Sequence, residues 1–215
     1  MKPEHVHKHL QALQSKYPDL SPCLDDIRCA FELLEACYRQ GGKVLVAGNG
    51  GSASDSEHIV GELMKGFMLP RPVPQPFRDT VLRLFPDEGE ALCSGLQGAL
   101  PAISLVSHSA LMTAFANDVS AELVFAQQVY GYGSPGDALI GISTSGSSPN
   151  IVRAIQVAKA KGMVSIGLTG GSGGKMKALC DCTIAVQGAG TPAIQERHLP
   201  IYHTLCIMLE EAFFG

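Results

Sequence analysis

The sequence predicts an α/β fold in three layers: a doubly wound, parallel five-stranded sheet with helices on both faces and helices preceding it. Three observations carry that expectation. Short apolar segments recur without the in–out alternation of a half-exposed strand, the pattern of strands covered on both faces. Helical segments separate them, and strict strand–helix alternation builds a parallel sheet. The bulk composition, 215 residues with 46% hydrophobic and 17% charged, suits one globular domain with a sizeable core.

The first 40 residues read as two helices. In the second, Leu24, Ile27, Phe31 and Leu34 recur at helical spacing and Gly41-Gly42 stops the run. Ser21 is the expected N-cap, with Pro22 at the first helical position and Asp25 and Asp26 at the positive end. Five strands follow, over 43–48, 101–107, 137–143, 163–169 and 182–187. Helices are predicted at 52–66, near 109–130, 149–161 and 173–180, and from 192 to 214. Residues 69–100 break the rhythm. LPRPVPQP forbids helix and central strand, while RDTVLRLF and GEALCSGL suit a short amphipathic helical excursion. This segment reads as an insertion on the sheet's ligand edge within one domain spanning 1–215.

Several function classes are excluded on these grounds. A formal net charge of -4 with scattered Lys and Arg gives no nucleic-acid surface. No apolar run approaches the roughly 20 residues that span a bilayer, and the polar N-terminus is no signal peptide. The seven cysteines then read as free thiols in a reducing cytoplasm. Cys180 and Cys182 open an alternating strand, which favours a structural role over a metal site.

Two loops are built for an anion. Gly48-Asn49-Gly50-Gly51-Ser52 joins strand to helix, where glycines admit close approach and the helix start offers free N–H groups. Ser143-Thr144-Ser145-Gly146-Ser147-Ser148 places five hydroxyls within six residues at the next such junction. Ordinary capping explains one or two serines, not five. Gly48, Gly50 and Ala53 fit a dinucleotide fingerprint formally, but the next strand comes too late and ends in Ser107-His108 without an acid. GSGGKMK is no P-loop. No nucleotide cofactor is therefore expected.

The runs GGKVLVAGNGGSASDSEH, FANDV, GDALIGISTSGSS, AKGMVSIGLTG and AIQERHLPIYH resemble the sugar isomerase (SIS) domain family. Within it they are most similar to phosphoheptose isomerases, which act on sedoheptulose 7-phosphate. The resemblance covers most of the chain outside 69–100 and implies a flavodoxin-like SIS domain in the cytoplasm, assembled as a homotetramer (or homodimer) with sites at subunit boundaries. It implies substrate contacts at Asn49, Gly50, Gly51, Ser52, Asn117, Asp118 and Gln195. It places phosphate on Ser143, Thr144, Ser145 and Ser148, a general base at Glu62 and its acid–base partner at His203. His58, Glu62, Gln195 and His203 coincide with positions that bind zinc in some members.

Spacing alone is compatible with that chemistry. His58 and Glu62 share a helix face at i, i+4. Gln195 and His203, eight apart, point within about 80° of one another. A carboxylate and an imidazole are the usual pair for an aldose–ketose isomerisation, and the four side chains together are a zinc donor set. The same i, i+4 pair also suits a solvated surface. His5, His7 and His9 are expected to face water, His198 has no role to inherit and His108 is unassigned. Two departures stand out: the insertion, about 20 residues longer than a plain loop there, and Pro192 where many members carry an acid. A second reading of the same architecture is a non-catalytic phosphosugar binder that regulates or partners replication or transcription proteins. It has no need of the His58/Glu62/Gln195/His203 set.

Overall fold

A computed structural model describes residues 3–215, with side chains from Val6 onward. Helix α1 (Pro3–Lys16) leads into a 3-10 turn at Pro18–Cys23 and then helix α2 (Leu24–Arg39). Ile27, Phe31 and Leu34 of α2 are buried together, the stripe that the spacing predicts. Ser21 does not cap α2. It lies inside the 3-10 turn, where its Oγ donates to the Pro18 carbonyl at 2.6 Å. Pro18 and Pro22 both fix φ near a helical value, so the turn runs straight into α2 and leaves no extended capping residue.

Strand β1 (Val44–Gly48) follows, then helix α3 (Gly51–Met64). The 69–100 segment forms α4 (Gln75–Leu84) and α5 (Gly89–Gly95). Next come β2 (Ala102–Ser104), α6 (Ser109–Phe115), α7 (Val124–Tyr132), β3 (Ala138–Ser143) and α8 (Pro149–Ala160). The chain closes with β4 (Val164–Gly170), α9 (Met176–Leu179), β5 (Cys182–Val186) and α10 (Thr191–Phe214). The helix expected near 109–130 is interrupted. A π turn at Ala116–Ser120 and a 3-10 turn at Ala121–Leu123 separate α6 from α7. Ser120 causes the restart, its extended backbone and Oγ accepting from the Glu122 N–H at 3.2 Å.

The five strands are all parallel in the order β2-β1-β3-β4-β5. Every residue of β1 and β3 is buried, because helices cover both faces. One face packs Val44, Val46, Ile140, Ile142 and Ile166 against α2, α3 and α10. The other packs Leu45, Ala47 and Leu139 against α7 and α8 through Phe125, Val129, Ile151 and Ile155. Among the described residues, no helix is long and apolar enough to cross a membrane.

The insertion sits at the opposite edge of the sheet from the one expected. A crossover helix that starts at the strands' carboxyl edge delivers the chain to the amino edge, and α3 does so. The Leu100 N–H donates to the Leu63 carbonyl at 3.0 Å, and Val44 N–H to Pro101 at 3.0 Å, so 69–100 joins the bottom of α3 to the start of β2. Arg71, wholly buried, is its anchor. Its Nε donates to Glu210 Oε1 at 2.7 Å, while Nη1 and Nη2 donate to the carbonyls of Leu63 and Glu62 at 2.8 and 3.0 Å. Glu210 also accepts the backbone N–H groups of Phe67, Met68 and Leu69. Burial opposes its charge, yet those N–H groups and the guanidinium hold its carboxyl below the usual range. The clamp thus caps the last turn of α3 with a cation.

Candidate functional site

In this strand order β2 and β3 flank β1, so the connections after β1 and β3 lead to opposite faces. The crevice between them, at the carboxyl edge, is the usual ligand position of such a sheet. Both anion loops open there. After β1, Gly50 takes a left-handed φ of 57°, and Asn49 exchanges a pair of 2.9 Å side-chain hydrogen bonds with Asn150 of α8. Ser52 is buried within the first turn of α3. The two loops are therefore locked together across the crevice.

After β3, Ser143 Oγ lies 2.9 Å from Ser148 Oγ and 3.4 Å from Ser145 Oγ. Ser145 Oγ accepts the Ser147 N–H at 3.2 Å. Ser148, at the N-cap position of α8, makes no side-chain hydrogen bond to the helix, so capping does not explain these hydroxyls. They face one another around the start of α8, where N–H groups and the helix dipole favour an anion. Gly146 makes the turn possible, with φ of 63°, and an added Cβ would lie 2.1 Å from the Gly173 carbonyl oxygen. Gly146→Ala is accordingly expected to displace the loop and weaken binding of a sugar phosphate by at least about 10-fold, a cost of the size of one strained residue. Calorimetric titration with the wild type as reference checks this.

Asn117 and Asp118 lie exposed in the π turn beyond α6, bonded to each other at 2.9 Å. Gln195, near the start of α10, lies against Gly51, whose added Cβ would be 2.6 Å from Gln195 Nε2. From there α3 and α10 descend side by side. One to two turns further on, His58 meets Tyr202 and His203. His58 Nε2 is 3.3 Å from Glu62 Oε1 and 3.4 Å from His203 Nε2. Lys65 donates to the other Glu62 oxygen at 2.9 Å. Burial, then the neighbouring His58, pushes the His203 pKa down, so its imidazole is neutral at pH 7. The structure thus gathers His58, Glu62 and His203 and sets Gln195 apart from them, about 12 Å along α10 from His203. Glu62 is about 16 Å along α3 from Gly51. Among the described residues, no group of three or more His, Cys, Asp or Glu is assembled as a metal cage.

Five further residues shape the site and escaped sequence reasoning. Arg71 and Glu210 hold the end of α3, Lys65 pairs with Glu62, and Asp55 and Tyr202 back His58. Tyr202 OH lies 3.0 Å from His58 Nδ1 and donates to Asp55 Oδ1 at 3.3 Å. Burial, reinforced by the Asp55 carboxylate, pushes the Tyr202 phenol above its ordinary range. Only Asp55 left a trace in the sequence, one helical turn before His58.

The remaining histidines divide. The side chain of His5 lies outside the described residues. His7 contacts Gln11 at 2.8 Å on the exposed face of α1. His9 does not simply face water. It pairs with Glu211 of α10, a partner brought in only by the packing of α1 on α10. His108 stacks near Tyr132, ring centroids 5.4 Å apart. His198 is fully buried, its Nε2 3.2 Å from the Thr169 carbonyl. Burial pushes its pKa down to about 4. Because the folded pKa is depressed for a base, the unfolded chain binds the extra proton between pH 6.5 and 4. Stability is therefore full above pH 6.5 and falls as pH drops through that window, by about 3 kcal/mol from this group. Denaturation at pH 7 and pH 4.5 should show a smaller loss in His198→Gln than in the wild type.

Comparison with known proteins agrees with the fold. The SIS domain family matches residues 91–170. The chain is 42% identical to the phosphoheptose isomerase of Burkholderia pseudomallei strain K96243 over 192 residues, covering 89% of this chain and 84% of that one. The structure of a phosphoheptose isomerase from Francisella tularensis is similar with a TM-score of 0.75 at 29% identity, covering 98% of this chain and all of that one. Phosphoheptose isomerase from Neisseria gonorrhoeae gives 0.73 at 30% identity, over 97% and 98% of the two chains.

Proposed function

The chain belongs to the phosphoheptose isomerase family, and from that premise we infer that it interconverts sedoheptulose 7-phosphate and an aldoheptose 7-phosphate. Such an enzyme is an aldose–ketose isomerase, an intramolecular oxidoreductase. The observation that carries the reading is the pairing of a hydroxyl-lined anion loop with a carboxylate–imidazole cluster. Ser143, Thr144, Ser145 and Ser148 hold the phosphate. Asn49, Gly50, Gly51, Ser52 and Gln195 line the crevice, and Asn117 and Asp118 take sugar hydroxyls.

Glu62 removes the proton from C1 of the ketose, and the electrons move through the forming C1=C2 bond onto O2. The same carboxyl returns the proton to C2 as O1 becomes the carbonyl. His203, neutral at pH 7, gives a proton to O2 and regains one from O1, the part that a neutral imidazole suits. Every electron stays in the sugar, so the reaction has no need of a nucleotide cofactor.

Zinc belongs to the same proposal. A neutral imidazole lone pair and a carboxylate oxygen 3.3 Å apart repel each other unless a proton or cation lies between them. Donors about 3.3–3.4 Å apart are also the edge of a tetrahedron with zinc's bond lengths. His58, Glu62 and His203 would hold the ion, whereas Gln195 lies about 12 Å along α10 from His203 and is not brought to it in this chain. When bound, the ion polarises the sugar carbonyl.

The site's dimensions support an oligomer. Gly51 of the first loop and Glu62 lie about 16 Å apart along α3, beyond the roughly 9 Å between the phosphorus and C2 of an extended heptulose phosphate. Joining the loop of one copy to the cluster of another in a cytoplasmic homotetramer closes that gap.

Deuterium incorporation tests the proton-transfer route. Turnover in D2O should place deuterium at C2 of the aldose. Deuterium there establishes proton transfer, whereas complete retention of protium together with an active Glu62→Gln would mean a hydride shift and remove Glu62 from its role.

A further inference from the structure

We propose that Tyr202 is a positioning residue that fixes the tautomer of His58 by bridging it to Asp55. This rests on the reading of the His58–Glu62–His203 cluster as the reaction centre. Tyr202 is 2% exposed. Its ring packs edge-on against both His58 and His203, at centroid distances of 5.4 and 5.1 Å, so its hydroxyl has little freedom. That hydroxyl lies 3.0 Å from His58 Nδ1 and 3.3 Å from Asp55 Oδ1.

The bridge favours one proton arrangement over its rival, in which the phenol donates to His58 Nδ1 and His58 Nε2–H donates to Glu62 Oε1. An ionised carboxylate only accepts, and a phenol has one hydrogen to give. The Tyr202 hydrogen goes to Asp55, whose second oxygen is buried without a partner among the described residues. The phenol oxygen is then left as an acceptor for His58, so His58 carries its hydrogen on Nδ1. Its Nε2 then turns a lone pair toward Glu62 and His203, a contact with the carboxylate at 3.3 Å that a cation or the His203 hydrogen relieves. In that state His58 can accept the Nε2 hydrogen of His203 at 3.4 Å, which orients the second ring as well. A partner on the far nitrogen commonly sets a histidine's tautomer in this way. No spacing rule flags Tyr202, because the bridge exists only where α10 lies along α3.

The test is 15N NMR of histidine-labelled protein, with and without chelator, His58 being assigned from the signal lost in His58→Gln. Long-range 1H–15N correlations separate the two tautomers. In the wild type His58 should be the Nδ1–H form, and Tyr202→Phe, which keeps the ring, should gain the Nε2–H form. An Nε2–H His58 in the wild type overturns the proposal without any variant. An unchanged Nδ1–H signal in Tyr202→Phe overturns it too. Turnover should fall about 10–100-fold in kcat with KM within about twofold, and an unchanged kcat would deny the bridge a part in catalysis. If no sugar phosphate is turned over even by the wild type, the isomerase reading fails while the tautomer result still decides the bridge.

Discussion

Glu62→Gln is expected to lower kcat by a factor of about 10²–10⁴, the usual worth of a positioned general base. The amide is nearly isosteric with the carboxyl, so packing in the last turns of α3 survives. An amide oxygen can still accept from Lys65, which now pairs with Glu62 Oε2 at 2.9 Å. What is lost is the capacity to take a proton from carbon. Melting temperature should therefore stay within a few degrees of the wild type, and sugar phosphate should still bind through the hydroxyl loop at the start of α8. Steady-state kinetics together with calorimetric titration separate these effects. An active Glu62→Gln enzyme would sink the assignment of the base.

Arg71→Met should cost about 3–5 kcal/mol of stability, the range for breaking a buried ion pair by removing one partner. Three losses coincide there. Glu210, whose side chain is 1% exposed, keeps its charge with no cation. The carbonyls of Glu62 and Leu63 lose their guanidinium donors. The Arg71 stack on the Phe214 ring, 4.8 Å from its centroid, disappears as well. Urea denaturation measures the total, and a loss below about 1 kcal/mol would show that the clamp is not what holds the insertion. Arg71→Met combined with Glu210→Gln should recover part of the loss. The neutral amide oxygen still accepts a backbone N–H but leaves no unpaired charge. Because the clamp also ends α3, the single variant should lose turnover through displacement of Glu62.

The sheet was legible in the sequence because its strands are buried on both faces. VLVAG and ALIGIS carry no alternation, and each lies in the interior of the sheet. The positions of the two loops at the starts of α3 and α8 were legible too, from glycines and hydroxyls that follow an apolar strand. Other features depend on contacts that no local pattern encodes. Arg71 meets a carboxylate 139 positions away, and His9 one 202 positions away. Ser21 reads as a cap by its residue type, yet two flanking prolines carry the chain through a 3-10 turn instead. The prolines of the insertion mark irregular backbone and carry no information on which edge of the sheet it occupies. The direction of α3 decides its edge, and that is a property of the whole topology. For Glu62 and His203, spacing offered compatibility alone. Their roles come from the resemblance, and the shared reach of α3 and α10 brings them within range of a common partner, His58.

Turnover of sedoheptulose 7-phosphate by the purified protein, followed by aldose formation with and without added zinc, tests the central claim most directly. The expected result is formation of an aldoheptose 7-phosphate that rises with zinc and vanishes in Glu62→Gln. No aldose under either condition, alongside thermal stabilisation by the same sugar phosphate, would contradict it and leave a phosphosugar-binding protein without this chemistry.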